Sequence, residues 1–205
     1  MGNTEVSDPA DARDRLVRGL EESIEVKGYR NTTIADIVRN AKASRRTFYR
    51  VFTTKDEVLF ALIDTVDDVV IRDMEAAVDP MLSWKEQVAG AIRIYFDHIE
   101  RRPAVHLCAI RELPYLGEAA EPVMRRGHEA FVSLIYKMTD NEEFRRAGLA
   151  PASRLHAMMV QGALNELVAE ILQSGGSISE GLDLAIGSTA ALLSVDPDRG
   201  WDPRA

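Results

Sequence analysis

Between Lys27 and Lys55 the chain gathers residue types that bind phosphate and read base edges. Eight bases lie there (Lys27, Arg30, Arg39, Lys42, Arg45, Arg46, Arg50 and Lys55) with one acid, Asp36, a net charge of +7. The 205-residue chain has 25 bases and 33 acids, so the remainder holds 17 bases against 32 acids, or −15. The overall charge of −8 alone argues against a nucleic-acid partner. A compact basic block on an acidic protein reverses that argument, because it is the footprint of a phosphate-binding module. Arg45 and Arg46 can each bond guanine O6 and N7 together. Thr47 suits a thymine methyl or a phosphate, and Tyr49 offers a flat ring and a hydroxyl to the sugar-phosphate backbone. Thr33 and Lys55 fall at helix N-termini, where free N–H groups favour phosphate oxygens. Lys42, Ser44 and Arg50 complete the candidate DNA-binding set.

These side chains need elements to aim them, and the pattern supplies helices. Leu16, Val17, Leu20 and Ile24 repeat at helical spacing over about Pro9 to Lys27, and Gly28 stops that helix. A second helix starts after Thr32 or Thr33 as N-cap and runs to about Asn40, with Ile34, Ile37 and Val38 inward. After the short connection Ala41-Lys42-Ala43, Ser44 caps a third helix in which Phe48 and Phe52 share a face. Two short helices joined by a tight turn are a helix-turn-helix, whose second helix lies in the major groove. Further on the chain reads as helices throughout: from a cap at Thr53 or Thr54 to about Val78, then about Trp84 to Glu100, Pro103 to Leu113, Ala119 to Thr139, Pro151 to Gln173 and Ser179 to Ser194. Period-two β-branched runs and Asn-Gly or Asp-Gly hairpin signals are missing. The expectation is therefore an all-α chain of nine helices in two domains. A helix-turn-helix head at 9–55 precedes a C-terminal ligand-binding and dimerisation bundle at 56–195, and 1–8 and 196–205 read as disordered tails.

The stretch from Gly28 to Lys55 resembles the TetR family of regulators. Its pattern is met by Gly28, Thr32, Thr33, Ile34, Ile37, Ala41, Ser44, Thr47, Phe48, Tyr49, Phe52 and Lys55. The resemblance covers about residues 11–60. It implies a homodimer holding two recognition helices over a palindromic operator in double-stranded DNA. It also implies a cavity for a small-molecule effector in the C-terminal domain, and it favours a repressor, with an activator of the same fold as the alternative. By carry-over, Arg45, Arg46, Thr47, Tyr49 and Lys55 contact DNA, with Thr33 on phosphate. Three positions depart from the pattern. Lys42 stands where glycine is usual in the turn, Arg46 replaces a small residue, and Val51 replaces a His or Tyr before Phe52.

Beyond the head only layout and length fit the family. The resemblance implies that the last two helices make the dimer interface, with Met159, Gly162 and Glu166 in the penultimate helix and Leu182, Ile186, Thr189 and Leu193 in the last, and the small residues around them suit close approach. An effector pocket is expected among helices 4 to 8. Its candidate aromatic lining is Trp84, Tyr95, Phe96, Phe131 and Tyr136. His98, Cys108, Met158, Arg111 and Asn165 are the other candidates, the last two being polar groups in apolar helices that need a partner.

Other classes fit poorly. His106 and Cys108 are two apart and point to different faces of a helix. There is no His-Glu-x-x-His, Gly-x-Ser-x-Gly, phosphate-binding glycine loop or Cys-x-x-Cys. Neither an enzyme nor a metal or cofactor site is expected. An architectural DNA binder would be basic throughout. The single cysteine and the lack of an apolar run long enough to span a bilayer lead to the expectation of a cytoplasmic protein with no membrane partner.

Overall fold

The computed structural model describes residues 9–195. Within them the chain is helical, with ten α-helices and two short 3₁₀ segments. In order these are α1 (Pro9–Asn31), α2 (Ile34–Asn40), α3 (Arg45–Val51), α4 (Lys55–Ala76), α5 (Trp84–Arg101), α6 (Pro103–Arg111), α7 (Glu121–Thr139), α8 (Glu142–Arg146), α9 (Arg154–Ser174) and α10 (Leu182–Leu193). The 3₁₀ segments are Leu113–Ala120 and Ile178–Gly181. Among the described residues no helix is long and apolar enough to cross a membrane. The tails expected at 1–8 and 196–205 lie outside the described residues.

The helix beyond the expected nine is α8. Asn141 caps it by accepting the Glu143 and Phe144 N–H groups at 3.0 and 3.2 Å. Phe144 is fully buried, with its ring 5.6 Å from that of Trp84. A five-residue helix is shorter than the two turns that periodicity needs, so one buried aromatic and one cap are its whole signature.

Two compact units emerge. The first holds the chain up to Asp67 together with Arg102–Met124, and the second holds Asp68–Arg101 together with the chain from Arg125 on. Where the sequence suggests a division at residue 55, the first unit also includes α6, which packs along α1. In that unit α2, α3 and α6 all pack on α1. Its inner stripe Ala12, Leu16, Leu20 and Ile24 is buried. At Gly28 the backbone leaves the helix with φ 75°, a value that favours glycine. In the second unit α10 packs on α5 and α9. Val88, Ile92 and Ile99 of α5, Val160 and Val168 of α9, and Ala185 and Leu193 of α10 are its buried positions.

Candidate nucleic-acid interface

The reading helix α3 is positioned from α1 outward. Gly19 on α1 is where α2 comes closest: a Cβ there would stand 2.6 Å from the Ile37 carbonyl oxygen and 2.9 Å from the Ala41 nitrogen. Only glycine allows the two backbones to approach so nearly. Asn40 closes the same contact from the far end of α2. Its amide donates to the Gly19 carbonyl at 3.3 Å and to the Ser23 hydroxyl at 3.0 Å.

The N-terminus of α2 is organised by Asp36. Its carboxylate accepts the Thr33 N–H at 2.9 Å and the Thr33 hydroxyl at 2.6 Å, while its own N–H returns to Thr33 Oγ1 at 3.3 Å, a capping box. Lys27 at 2.5 Å and Arg39 at 2.9 Å pair with the same carboxylate. Lys27 foremost, then Thr33 and Arg39, hold the Asp36 carboxyl well below the usual carboxylate range. Thr33, not Thr32, is therefore the cap. Thr32 is buried, with its hydroxyl on the Gly28 carbonyl at 2.8 Å.

The turn after α2 ends in a left-handed residue. Lys42 has φ 49°, the one described non-glycine residue with positive φ. Around it the Lys42 N–H bonds Arg39 O at 3.2 Å and the Ala43 N–H bonds Val38 O at 2.9 Å. Ser44 then caps α3, accepting the Thr47 N–H at 3.0 Å, and its hydroxyl lies 2.9 Å from Thr47 Oγ1. Phe48 is the anchor of α3. It is fully buried, with Phe52 at 6.2 Å and Tyr49 edge-on at 5.3 Å. With Phe48 inward, Arg45, Arg46, Tyr49 and Arg50 are exposed, and so is Lys42 beside them.

The basic block thus divides into two groups. Lys27 and Arg39 are paired with Asp36, and Arg30 lies 3.6 Å from Glu112. Lys55 is used internally, a role the sequence reading missed. Its ammonium donates to the Tyr29 and Thr32 carbonyls, each at 2.9 Å, and stands 4.0 Å from the centre of the Tyr29 ring. It caps the C-terminus of α1, where helix dipoles favour a cation. Beside it the Tyr29 hydroxyl donates to Asp56, and burial foremost, with that bond, raises the phenol above its ordinary range. The remaining cations, Lys42, Arg45, Arg46 and Arg50, cluster on the turn and α3. The signal for the Lys55 role was present in the run of unpaired carbonyls that any helix stopped by Gly28 must leave.

The pocket candidates are distributed over both units. Cys108 and Arg111 belong to α6 in the first unit, and the other eight belong to the second. Burial pushes the Cys108 thiol up to about 12, so it is no nucleophile at neutral pH. In the second unit Phe96, His98 and Phe131 are buried, and Trp84, Tyr95 and Asn165 half-buried. Tyr95 meets Phe96 edge-on at 6.1 Å. His98 Nε2 lies 3.0 Å from Asp73 Oδ2. Tyr136 and Met158 are 53% and 45% exposed, and so line no interior of the protomer.

The candidate interface residues divide as well. On α9 Met159, Gly162 and Glu166 are exposed, flanked by exposed Leu155 and Ala163. On α10 Thr189 and Leu193 are buried within the protomer, and Leu182 and Ile186 half-buried. The outward face there is Leu184, Gly187 and Ala191, with exposed Val195 just beyond the helix. The helix reads Leu-Asp-Leu-Ala-Ile-Gly-Ser-Thr-Ala-Ala-Leu-Leu, apolar on nearly every side, so periodicity alone picks no unique inner stripe. Between α9 and α10 runs an apolar groove of about 160 Å³, lined among others by Ala163, Leu167, Leu184 and Ser188.

Comparison with known proteins agrees with this geometry. Residues 16–62 match the family model described as bacterial regulatory proteins, tetR family. The HTH-type transcriptional regulator TcmR of Streptomyces glaucescens is 31% identical over 84 residues, which are 40% of this chain and 35% of TcmR, so the likeness spans about a third of that relative. An HTH-type transcriptional regulator from the lacX 3' region of Lactococcus lactis is 24% identical over 196 residues, 88% of this chain and 94% of that protein. Among solved structures, the fatty acid degradation regulator FadR of Bacillus halodurans superposes with a TM-score of 0.75 at 16% identity, covering 92% of this chain and 97% of that one. FadR of Bacillus subtilis, solved in complex with stearoyl-CoA, gives 0.71 at 17% identity, covering 91% and 98%. Residues 16–62 thus match the head of the tetR family of bacterial regulatory proteins, and the described residues share the all-helical fold of solved structures such as the tetR-family regulator of Streptomyces coelicolor, TM-score 0.73 at 15% identity over 89% of this chain and 80% of that one.

Proposed function

We propose that the protein is a homodimeric transcriptional repressor that binds a palindromic operator and leaves it when a small molecule occupies the C-terminal domain. The observation that carries the DNA reading is the division of the basic block. Four cations on the turn and α3 stay outside the internal ion pairs, on a helix fixed by Phe48, the Ser44 cap and the close approach at Gly19. In this reading Arg45 and Arg46 meet base edges, while Thr47, Tyr49, Arg50 and Lys42 meet the backbone. Thr33, Ser44 and Lys55 serve first as caps, and what they add to phosphate binding comes from the N–H groups and charge at those helix ends.

The dimer is supported by the outward apolar faces of α9 and α10. The effector reading is supported by relatives of the same fold, FadR of Bacillus subtilis with stearoyl-CoA and FadR of Thermus thermophilus with lauroyl-CoA. For this chain the class proposed is only a small molecule.

The experiment is selection of bound DNA from a random pool by the purified protein at moderate salt. Enrichment of a palindrome with two short half-sites is expected. Arg45→Ala and Arg46→Ala should each cost about 1 to 3 kcal/mol at one base position and relax selection there. A folded protein that enriches no sequence would overturn the DNA reading.

A further inference from the structure

Helix α6 is fastened to α1 by charged contacts that follow one another in the same order along both helices. Arg102 Nε pairs with Glu21 Oε1 at 2.5 Å. Glu25 Oε1 accepts the Val105 N–H at 3.4 Å. Arg30 lies 3.6 Å from Glu112. Before the break at Gly28, the step from Glu21 to Glu25 rises by roughly 6 Å and the step from Arg102 to Val105 by roughly 4 to 5 Å. The contacts therefore run in register, and α6 lies parallel to α1.

The N-terminal end of this fastening is incomplete without α1. Arg102 is the N-cap of α6 and makes no side-chain cap bond, and a cation there opposes the helix dipole. The carboxylates of Glu21 and Glu25 on α1 supply both missing items, a counter-charge for Arg102 and an acceptor for the Val105 N–H. An α6 that leaves this register loses its counter-charge and its cap together.

We propose that Glu21, Glu25 and Arg102 are positioning residues for DNA reading: the clasp between α1 and the N-terminus of α6 sets how α1 carries α2 and α3 onto the operator. This rests on the DNA reading above. α1 is the helix on which α2, α3 and α6 all pack, so the pairs that seat α6 on α1 act on the support of the reading helix, and none of the three residues is among the DNA contacts.

The test uses full-length protein and the palindrome that wild type selects, remade with the half-site spacer shortened and lengthened by single base pairs. Glu21→Arg should weaken binding by about 5- to 10-fold and change the preferred spacer, with helix content unchanged. Glu21→Gln should act in the same direction more weakly, which keeps the test decisive if the charge reversal fails to fold. Glu21→Arg combined with Arg102→Glu restores the pairing in reverse and should restore both affinity and spacer preference. Variants with wild-type affinity and spacer preference would overturn the proposal. So would a loss that the reversed pair does not rescue. A wild type that selects no DNA would instead overturn the DNA reading itself, and is seen before any variant is made.

Discussion

Lys42 keeps a β-carbon at φ 49°, where most helix-turn-helix turns of this pattern have glycine. Two effects oppose each other in Lys42→Gly. Leaving the left-handed region without a β-carbon removes a cost of about 1 to 2 kcal/mol. The freer unfolded chain takes back about 0.4 to 1 kcal/mol. Thermal stability should therefore rise only slightly. DNA binding should fall, because one exposed cation beside α3 is lost, and the slope of log affinity against log salt should become shallower by about 0.9 per head. Equal affinity and an unchanged slope would remove Lys42 from the interface. The strain was legible in the sequence, since a lysine in a glycine position announces it. The internal role of Lys55 was only half legible: the carbonyls left free at Gly28 call for a donor, but a helix-starting lysine in a basic block reads equally well as a phosphate ligand. What decides is the fold of the chain at Gly28, which brings two carbonyls within reach of its ammonium.

At the scale of elements, the head depends on how near α2 comes to α1. Gly19→Ala would gain about 1 kcal/mol of helix propensity. The added methyl meets backbone atoms at 2.6 and 2.9 Å, which cannot yield as a flexible side chain does. Overpacking of this kind costs about 1 to 3 kcal/mol. The clash should win, lowering the melting temperature and the operator affinity together; a more stable protein would mean that the helices part without cost. Asp36 adds a pH dependence. Its carboxyl in the folded head lies below its unfolded value near 3.9, so its stabilisation is complete above that value and is lost as pH falls through the folded one. Asp36→Asn should lose stability at pH near 7 and show less further loss on acidification than wild type, read as urea midpoints along a pH series. Equal acid sensitivity would mean that other carboxylates govern the acid limit. Helix existence was legible here because α1 carries a clean stripe and α2 and α3 carry caps. Gly19 escaped notice, since a glycine inside a helical pattern looks like a weak helix former until the helix that presses on it is known. The fastening of α6 to α1 escaped for the same reason, as its partners lie about 80 positions apart.

At the scale of the whole molecule, two heads on one operator require two chains. The exposed faces of α9 and α10 and the residue just past them carry apolar surface without a partner in the protomer: Leu155, Met159, Leu184 and Val195 are each more than half exposed. The all-helical layout was legible from the absence of strand and hairpin signals, but the face that α10 turns outward was not, because a helix apolar all round carries no address. Gly162 separates core from interface with one substitution. A Cβ there meets nothing within 4 Å in the protomer. Gly162→Arg should therefore leave the fold intact, or strengthen it by about 1 kcal/mol of helix propensity. It would place a long charged chain where a partner helix is expected to approach closely, and burying that charge unpaired is costly. If the proposed dimer forms through this face, the variant should sediment as a monomer at concentrations where wild type sediments as a dimer. Its operator affinity should drop by about 100-fold or more, since the second head no longer binds at the high effective concentration that linkage provides. Binding to a single half-site should be unchanged. A Gly162→Arg protein that remains dimeric and keeps its operator affinity would move the interface away from α9 and leave this apolar face without its proposed partner.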